Sequence, residues 1–66
     1  MGHKELGKNI ATLRRVAGLN QSVLGAAARC TQVRISAIER GKSAPSEREL
    51  RGIERVLGVD LRALSE

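Results

Sequence analysis

Signals that start and stop helices recur at short intervals along this chain, and they restrict it to a bundle of short helices. Gly18 stands where a helix end takes a left-handed residue, and Asn20 just beyond it is a strong N-cap. Arg29-Cys30-Thr31 makes a short break, with Thr31 placed to cap the segment that Gly41 closes. Pro45 halts anything before it, and Ser46-Glu47-Arg48-Glu49 has the S-x-x-E form of a capping box. Gly58 ends that segment and Asp60 can cap one last turn. Between these marks the apolar residues keep helical spacing: Leu6, Ile10, Leu13 and Ala17; Val23, Leu24, Ala27 and Ala28; Ile35 and Ile38; Leu50, Ile53 and Leu57; Leu61 and Leu64. No alternating strand pattern competes with them. The spacing predicts helices over about 4–17, 21–28, 32–40, 47–57 and 61–65. Helices this short are marginal alone, so they must bury their stripes against one another in a single all-α domain over 1–66. Gly25 and Ala26 are small enough to let a neighbour approach closely. Met1-Gly2-His3 sits at a terminus expected to be disordered and is given no function.

Composition narrows the classes of function. With 66 residues and no aromatics, the core is thin and built from Leu, Ile, Val and Ala. One cysteine excludes an intrachain disulfide and fits a reducing cytoplasm. Cys30 and His3 are too few soft ligands for a structural zinc site, so no metal or cofactor is expected. The longest uncharged apolar run, Val23 to Ala28, is far too short to span a membrane, and the N-terminus lacks a signal-peptide pattern. Leu6 stands where a myristoylation motif wants Ser or Thr. There is no nucleophile–base pair, metal cluster or phosphate-cradling loop; Ser36 and Ser43 lack a base. The expectation is a non-enzymatic, soluble cytoplasmic protein with no room for a small-molecule effector.

The net charge is +5 and unevenly spread. Residues 1–42 hold eight Lys/Arg against two acids, and residues 43–66 hold four against five. A basic domain usually meets a polyanion, and here the positive charge belongs to the first two thirds.

On a helical wheel of the third helix, Ile35 and Ile38 point one way. Val33, Ser36, Ala37 and Arg40 cluster on the opposite side, with Gln32 and Arg34 on the flanks. That outer face carries no acid and nothing bulky, so it would fit a DNA major groove, about 12 Å wide. An ordinary solvent-exposed face would look the same. A second feature separates the two. Arg14 lies on the margin of the first apolar stripe and Glu39 on the margin of the third. Charged groups avoid such positions unless paired, so the two are expected to face each other and lock the first helix to the third.

The run Leu19-Asn20-Gln21-Ser22-Val23-Leu24, then Ile35-Ser36-Ala37-Ile38-Glu39-Arg40-Gly41-Lys42, then Pro45-Ser46, resembles the phage-repressor and Cro-like (XRE-type) helix-turn-helix family, from Leu6 to Leu64. The resemblance implies a five-helix lambda-repressor-like bundle that is a sequence-specific transcriptional regulator, of the repressor kind, on double-stranded DNA. It implies that the third helix enters the major groove with Gln32, Val33, Ser36 and Ala37 at base edges. It places Gln21, Arg40 and Lys42 at the DNA backbone; Arg34 can reach guanine or phosphate and is counted with the backbone set. Arg14 and Glu39 match a pair that recurs in the family. One position departs. The family usually has Gly then an apolar residue in the turn between the second and third helices, and here Arg29 and Cys30 stand there. Arg29 implies strain, a shifted turn or a use for the charge; Cys30 substitutes for a small apolar residue.

Gln32 can donate and accept at the N6/N7 edge of adenine, and Val33 and Ala37 can meet a thymine methyl, so A·T-biased reading is expected. Family members often dimerise, and Leu61 and Leu64 are candidates for a homodimer interface, unless they only close the monomer core. The competing reading is a protein-interaction or antitoxin-like regulatory module built on the same helices.

Overall fold

The structure, a computed structural model, describes residues 2–64. Five helices follow one another: α1 (His3–Val16), α2 (Gln21–Ala27), α3 (Gln32–Glu39), α4 (Glu47–Leu57) and the single turn α5 (Leu61–Leu64). The all-helical expectation holds, with ends shifted by a residue. His3 opens α1 behind Gly2 instead of lying in a frayed end.

The starts form as the caps dictate. Asn20 Oδ1 accepts from the Val23 amide at 2.8 Å, and Thr31 Oγ1 accepts from the Arg34 amide at 3.1 Å. Ser46 and Glu49 close the capping box from both sides. Asp60 Oδ1 accepts from the Arg62 amide, while Glu54 Oε2 takes the Leu61 amide, a cap that the local sequence does not reveal.

The stops share one design. α1 ends with Gly18 N–H on the Arg15 carbonyl and Leu19 N–H on that of Arg14. The same pair of bonds runs from Arg29 and Cys30 to Ala26 and Gly25, and from Gly41 and Lys42 to Ile38 and Ala37. α4 closes on Gly58 and Val59, both reaching the Glu54 carbonyl. Each closure needs one left-handed residue. Gly18, Gly41 and Gly58 supply it at φ 76°, 72° and 70°; at the end of α2 it is Arg29, at φ 61°.

Ile10, Leu24, Ala28, Ile35, Ile38, Ile53 and Leu61 form the buried core. Leu6, Leu13, Cys30, Leu50, Val56, Leu57 and Val59 pack around it. Three expected core positions are outside: Ala17 is exposed as the C-cap of α1, and Val23 and Ala27 are exposed on α2. Seven residues give α2 room to bury only Leu24 and Gly25, with its C-cap Ala28 buried beyond them. Close approach is set by glycines: besides Gly41, whose added Cβ would meet the Lys4 backbone at 2.8 Å, three stand out. A Cβ on Gly7 would stand 2.3 Å from the Ile38 carbonyl oxygen, one on Gly52 2.8 Å from that of Ala28, and one on Gly25 3.1 Å from the Thr31 carbonyl carbon. Only Gly25 stood out in the sequence. What approaches it is its own turn, not another helix, and Ala26 is exposed. α1 therefore rests on the end of α3, and α4 on the end of α2.

Candidate nucleic-acid interface

α3 begins at Thr31, whose cap fixes the first turn and so presents Gln32 and Val33 side by side. Ile35 and Ile38 anchor the helix in the core. Its outer side is left open: Val33 is 73% exposed, Gln32 and Arg40 are exposed, and Ser36 and Ala37 are half-buried. A largely exposed valine at the leading end of a short helix costs the free chain and packs on nothing within it. Arg40 Nε donates back to the Ser36 carbonyl at 3.3 Å, leaving most of its guanidinium outward. Lys42 is exposed just beyond Gly41.

Behind this face a polar chain runs from the core to the surface. Arg14 Nε and Nη2 donate to the two carboxylate oxygens of Glu39, at 2.7 and 3.1 Å, and Arg14 Nη1 donates to the Leu19 carbonyl at 2.9 Å. The Arg14 and Glu39 side chains are 11% and 5% exposed, so the pair is largely desolvated. The hydrogen bond to Glu39 raises the pKa of Arg14 above its usual range. Gln21 Nε2 donates to Glu39 Oε1 at 3.0 Å, and Gln32 Nε2 donates to Gln21 Oε1 at 2.7 Å. Four residues from α1, α2 and α3 are thus connected, and the end of the chain is Gln32. Gln21 was expected at the DNA backbone; the structure also makes it the link that orients Gln32.

Arg34 requires a correction. It was counted among the backbone-contacting residues, yet four of its five N–H groups donate inside the chain. Nε and Nη2 donate to the two Glu49 carboxylate oxygens at 2.7 and 2.9 Å, Nη1 to Ser43 Oγ at 2.6 Å, and Nη2 also to the Ala44 carbonyl at 2.9 Å. It ties α3 to the 43–46 connection and to α4. The Arg34 guanidinium and the Ser46 amide hold the Glu49 carboxyl down at about 2. Glu49 was legible as half of a capping box; its partner lies fifteen residues away in sequence and only the fold supplies it.

Leu61 also requires a correction. It is 1% exposed and belongs to the core, so it closes the monomer and is not available as a dimer contact. The Leu64 side chain lies outside the described residues.

Two grooves carry basic side chains, one beside α3 and one between the end of α2 and α4. One groove, of about 370 Å³, is lined by Lys8, Thr12, Arg15, Gln21, Ser36, Glu39 and Arg40. A larger groove, of about 620 Å³, runs between Ala28-Arg29 and α4, lined by Glu47, Arg48, Arg51, Gly52 and Arg55. The sequence had assigned the positive charge to the first two thirds, and α4 breaks that division by placing Arg48, Arg51 and Arg55 along one side. Cys30 is half-buried, and its thiol is pushed up, mainly by burial. No helix among the described residues is long and apolar enough to cross a membrane.

The helix-turn-helix family model matches residues 5–64. Among solved structures, the fold is similar to the P22 c2 repressor protein in complex with a synthetic operator, with a TM-score of 0.85, 25% sequence identity and 89% of each chain covered. No curated protein matches the sequence.

Proposed function

The chain belongs to the phage-repressor and Cro-like helix-turn-helix family, and from that premise we propose that it is a sequence-specific transcriptional regulator that binds double-stranded DNA by laying α3 in the major groove. The observation that carries this reading is the exposed Gln32–Val33 edge, held rigid from behind by Gln21, Glu39 and Arg14. Gln32 gives one amide hydrogen to Gln21, which leaves its carbonyl oxygen and the other hydrogen for the N6/N7 edge of adenine. Val33, with Ala37 one turn on, meets a thymine methyl. Ser36 serves the same reading face. Gln21, Arg40 and Lys42 hold phosphates, and each neutralised phosphate steepens the salt dependence by about 0.9 in log–log slope.

A protein of this kind acts by occupying its site, which is repression where that site overlaps a promoter. No covalent step is assigned to it, and its lone thiol suits a reducing cytoplasm. A domain this small gains affinity and selectivity by binding in pairs, and we propose a homodimer on a pseudo-palindrome, with the two α3 helices about 34 Å apart.

Selection of bound sequences from random duplex DNA tests the reading. The expected result is an A·T-containing half-site, repeated with one-turn spacing, whose preference weakens in Gln32→Ala by roughly 1–3 kcal/mol per contacted base pair. A pool that shows no enrichment, or binding to duplex without a steep salt slope, would favour a protein-interaction or antitoxin-like module instead.

A further inference from the structure

We propose that Arg29, with Arg48 beside it, holds a DNA phosphate on the α4 side of α3, forming a second backbone wall opposite the one at Gln21. The inference rests on the DNA-binding reading above and extends it to a residue that departs from the family pattern.

The first observation is conformational. Four helices end with a left-handed residue, three with glycine and one with Arg29 at φ 61°. That conformation is unfavourable for any residue with a Cβ. Glycine would close α2 equally well, so the arginine is not there for the turn. Strained non-glycine residues held by a well-determined backbone collect at functional sites.

The second observation is electrostatic. The acids of α4 are each paired, although Glu47 lines the larger groove and Glu49 the smaller one. Glu49 is held by Arg34 and the Ser46 amide, Glu54 by the Leu61 amide, and Glu47 pairs with Arg51 and Arg62. Arg55 donates to the Ala27 carbonyl at 3.2 Å. The guanidinium groups of Arg29 and Arg48 have neither a hydrogen bond nor an acid partner among the described residues. Both are exposed, and they line the same two grooves.

The third observation is placement. One of those grooves, of about 470 Å³, is shared with Arg34 and Ser46, so it adjoins the flank of α3 away from Gln32. A helix in a groove about 12 Å wide has a sugar–phosphate wall on each side. Gln21, Arg15 and Arg40 serve one wall. On the other, Arg34 is held by Glu49, and Arg29 and Arg48 line the same groove with no acid partner among the described residues. A guanidinium matches phosphate with two parallel N–H donors.

The test uses the whole chain and a fluorescently labelled duplex of mixed sequence, titrated by anisotropy over a range of salt. Arg29→Gly keeps the turn and removes the strain, so loss of fold cannot explain loss of binding. Its melting temperature should rise. Its affinity at 0.1 M salt should fall about eightfold, and its log–log salt slope should become shallower by about 0.9, the value of one phosphate. Arg48→Ala should also flatten the slope, and Arg29→Lys should keep it. An Arg29→Gly variant with unchanged affinity and slope overturns the proposal. So does an Arg29→Lys variant that loses as much slope as Arg29→Gly, since charge would then not be the cause. Loss of binding to poly-glutamate with duplex binding intact would also overturn it, by making the groove a protein site. A wild-type chain that binds no duplex would overturn the DNA-binding reading itself, and this inference with it.

Discussion

At Gly7 the backbone of α1 meets the last turn of α3, where a Cβ would lie 2.3 Å from one carbonyl oxygen and 2.7 Å from the next. Both oxygens are backbone and cannot step aside. Gly7→Ala is therefore expected to cost about 1–3 kcal/mol or more, read as a fall in melting temperature by circular dichroism. Seven residues along the same helix, Arg14 meets Glu39 nearly out of water. Removing one partner leaves the other buried and charged, so Arg14→Met should cost about 3 kcal/mol. Removing both should cost less than the sum, with a coupling of about 1 kcal/mol or more in a double-mutant cycle. Additive losses would mean that the two side chains do not stabilise each other. The pair's value lies in orientation: its Glu39 end holds Gln21, and Gln21 holds Gln32.

α3 is fixed at both flanks, by Glu39 on the α1 side and by Arg34 on the α4 side. The second attachment depends on an ionised Glu49 that also caps α4. Its carboxyl titrates at about 2 in the folded chain, below the ordinary carboxylate value of 4.5. A depressed carboxyl contributes stability that is complete above the unfolded value and is lost as pH falls through the folded one. Wild type should therefore lose this contribution between about pH 4.5 and 2. Glu49→Gln should be less stable at neutral pH and flatter across that window, measured by urea unfolding at stepped pH. If both proteins lose stability in parallel over the window, Glu49 is not the group responsible.

The described chain measures 27 × 23 × 20 Å, and among its described residues six large side chains, all Ile or Leu, are fully buried. Ile53 lies at 0% exposure, and Ile53→Ala should cost about 2–5 kcal/mol. In a domain of this size that is much of the total stability. The variant should be largely unfolded by circular dichroism when free. Duplex at 100 times its dissociation constant should restore about 2.7 kcal/mol, because only the folded chain binds. A variant that duplex cannot rescue would show that Ile53 also shapes the binding face.

Much of this protein was legible in the residues themselves. Caps and stops are local chemistry, so Asn20, Thr31, Ser46 and Gly58 mark helix ends without reference to the fold. The periodicity of Ile10, Ile35, Ile38 and Ile53 sorted core from surface because a helix must bury one stripe. The Arg14–Glu39 contact could be anticipated because each charge sat on the edge of such a stripe. Other features depended on approach between segments distant in sequence. Arg34 looked like a cation for phosphate until the fold brought Glu49 to it. Leu61 could serve an interface or close the core, and only the fold put it in the core. Gly7 carries no mark of its own, since its meaning is the carbonyl that another helix places beside it. The arginines of α4 seemed balanced by acids on the same helix until packing turned those acids to other partners. Local backbone preference and periodicity were determined by the sequence alone; which charges are used up within the chain and which are left for a ligand was decided only by tertiary contact, because pairing depends on distance in space.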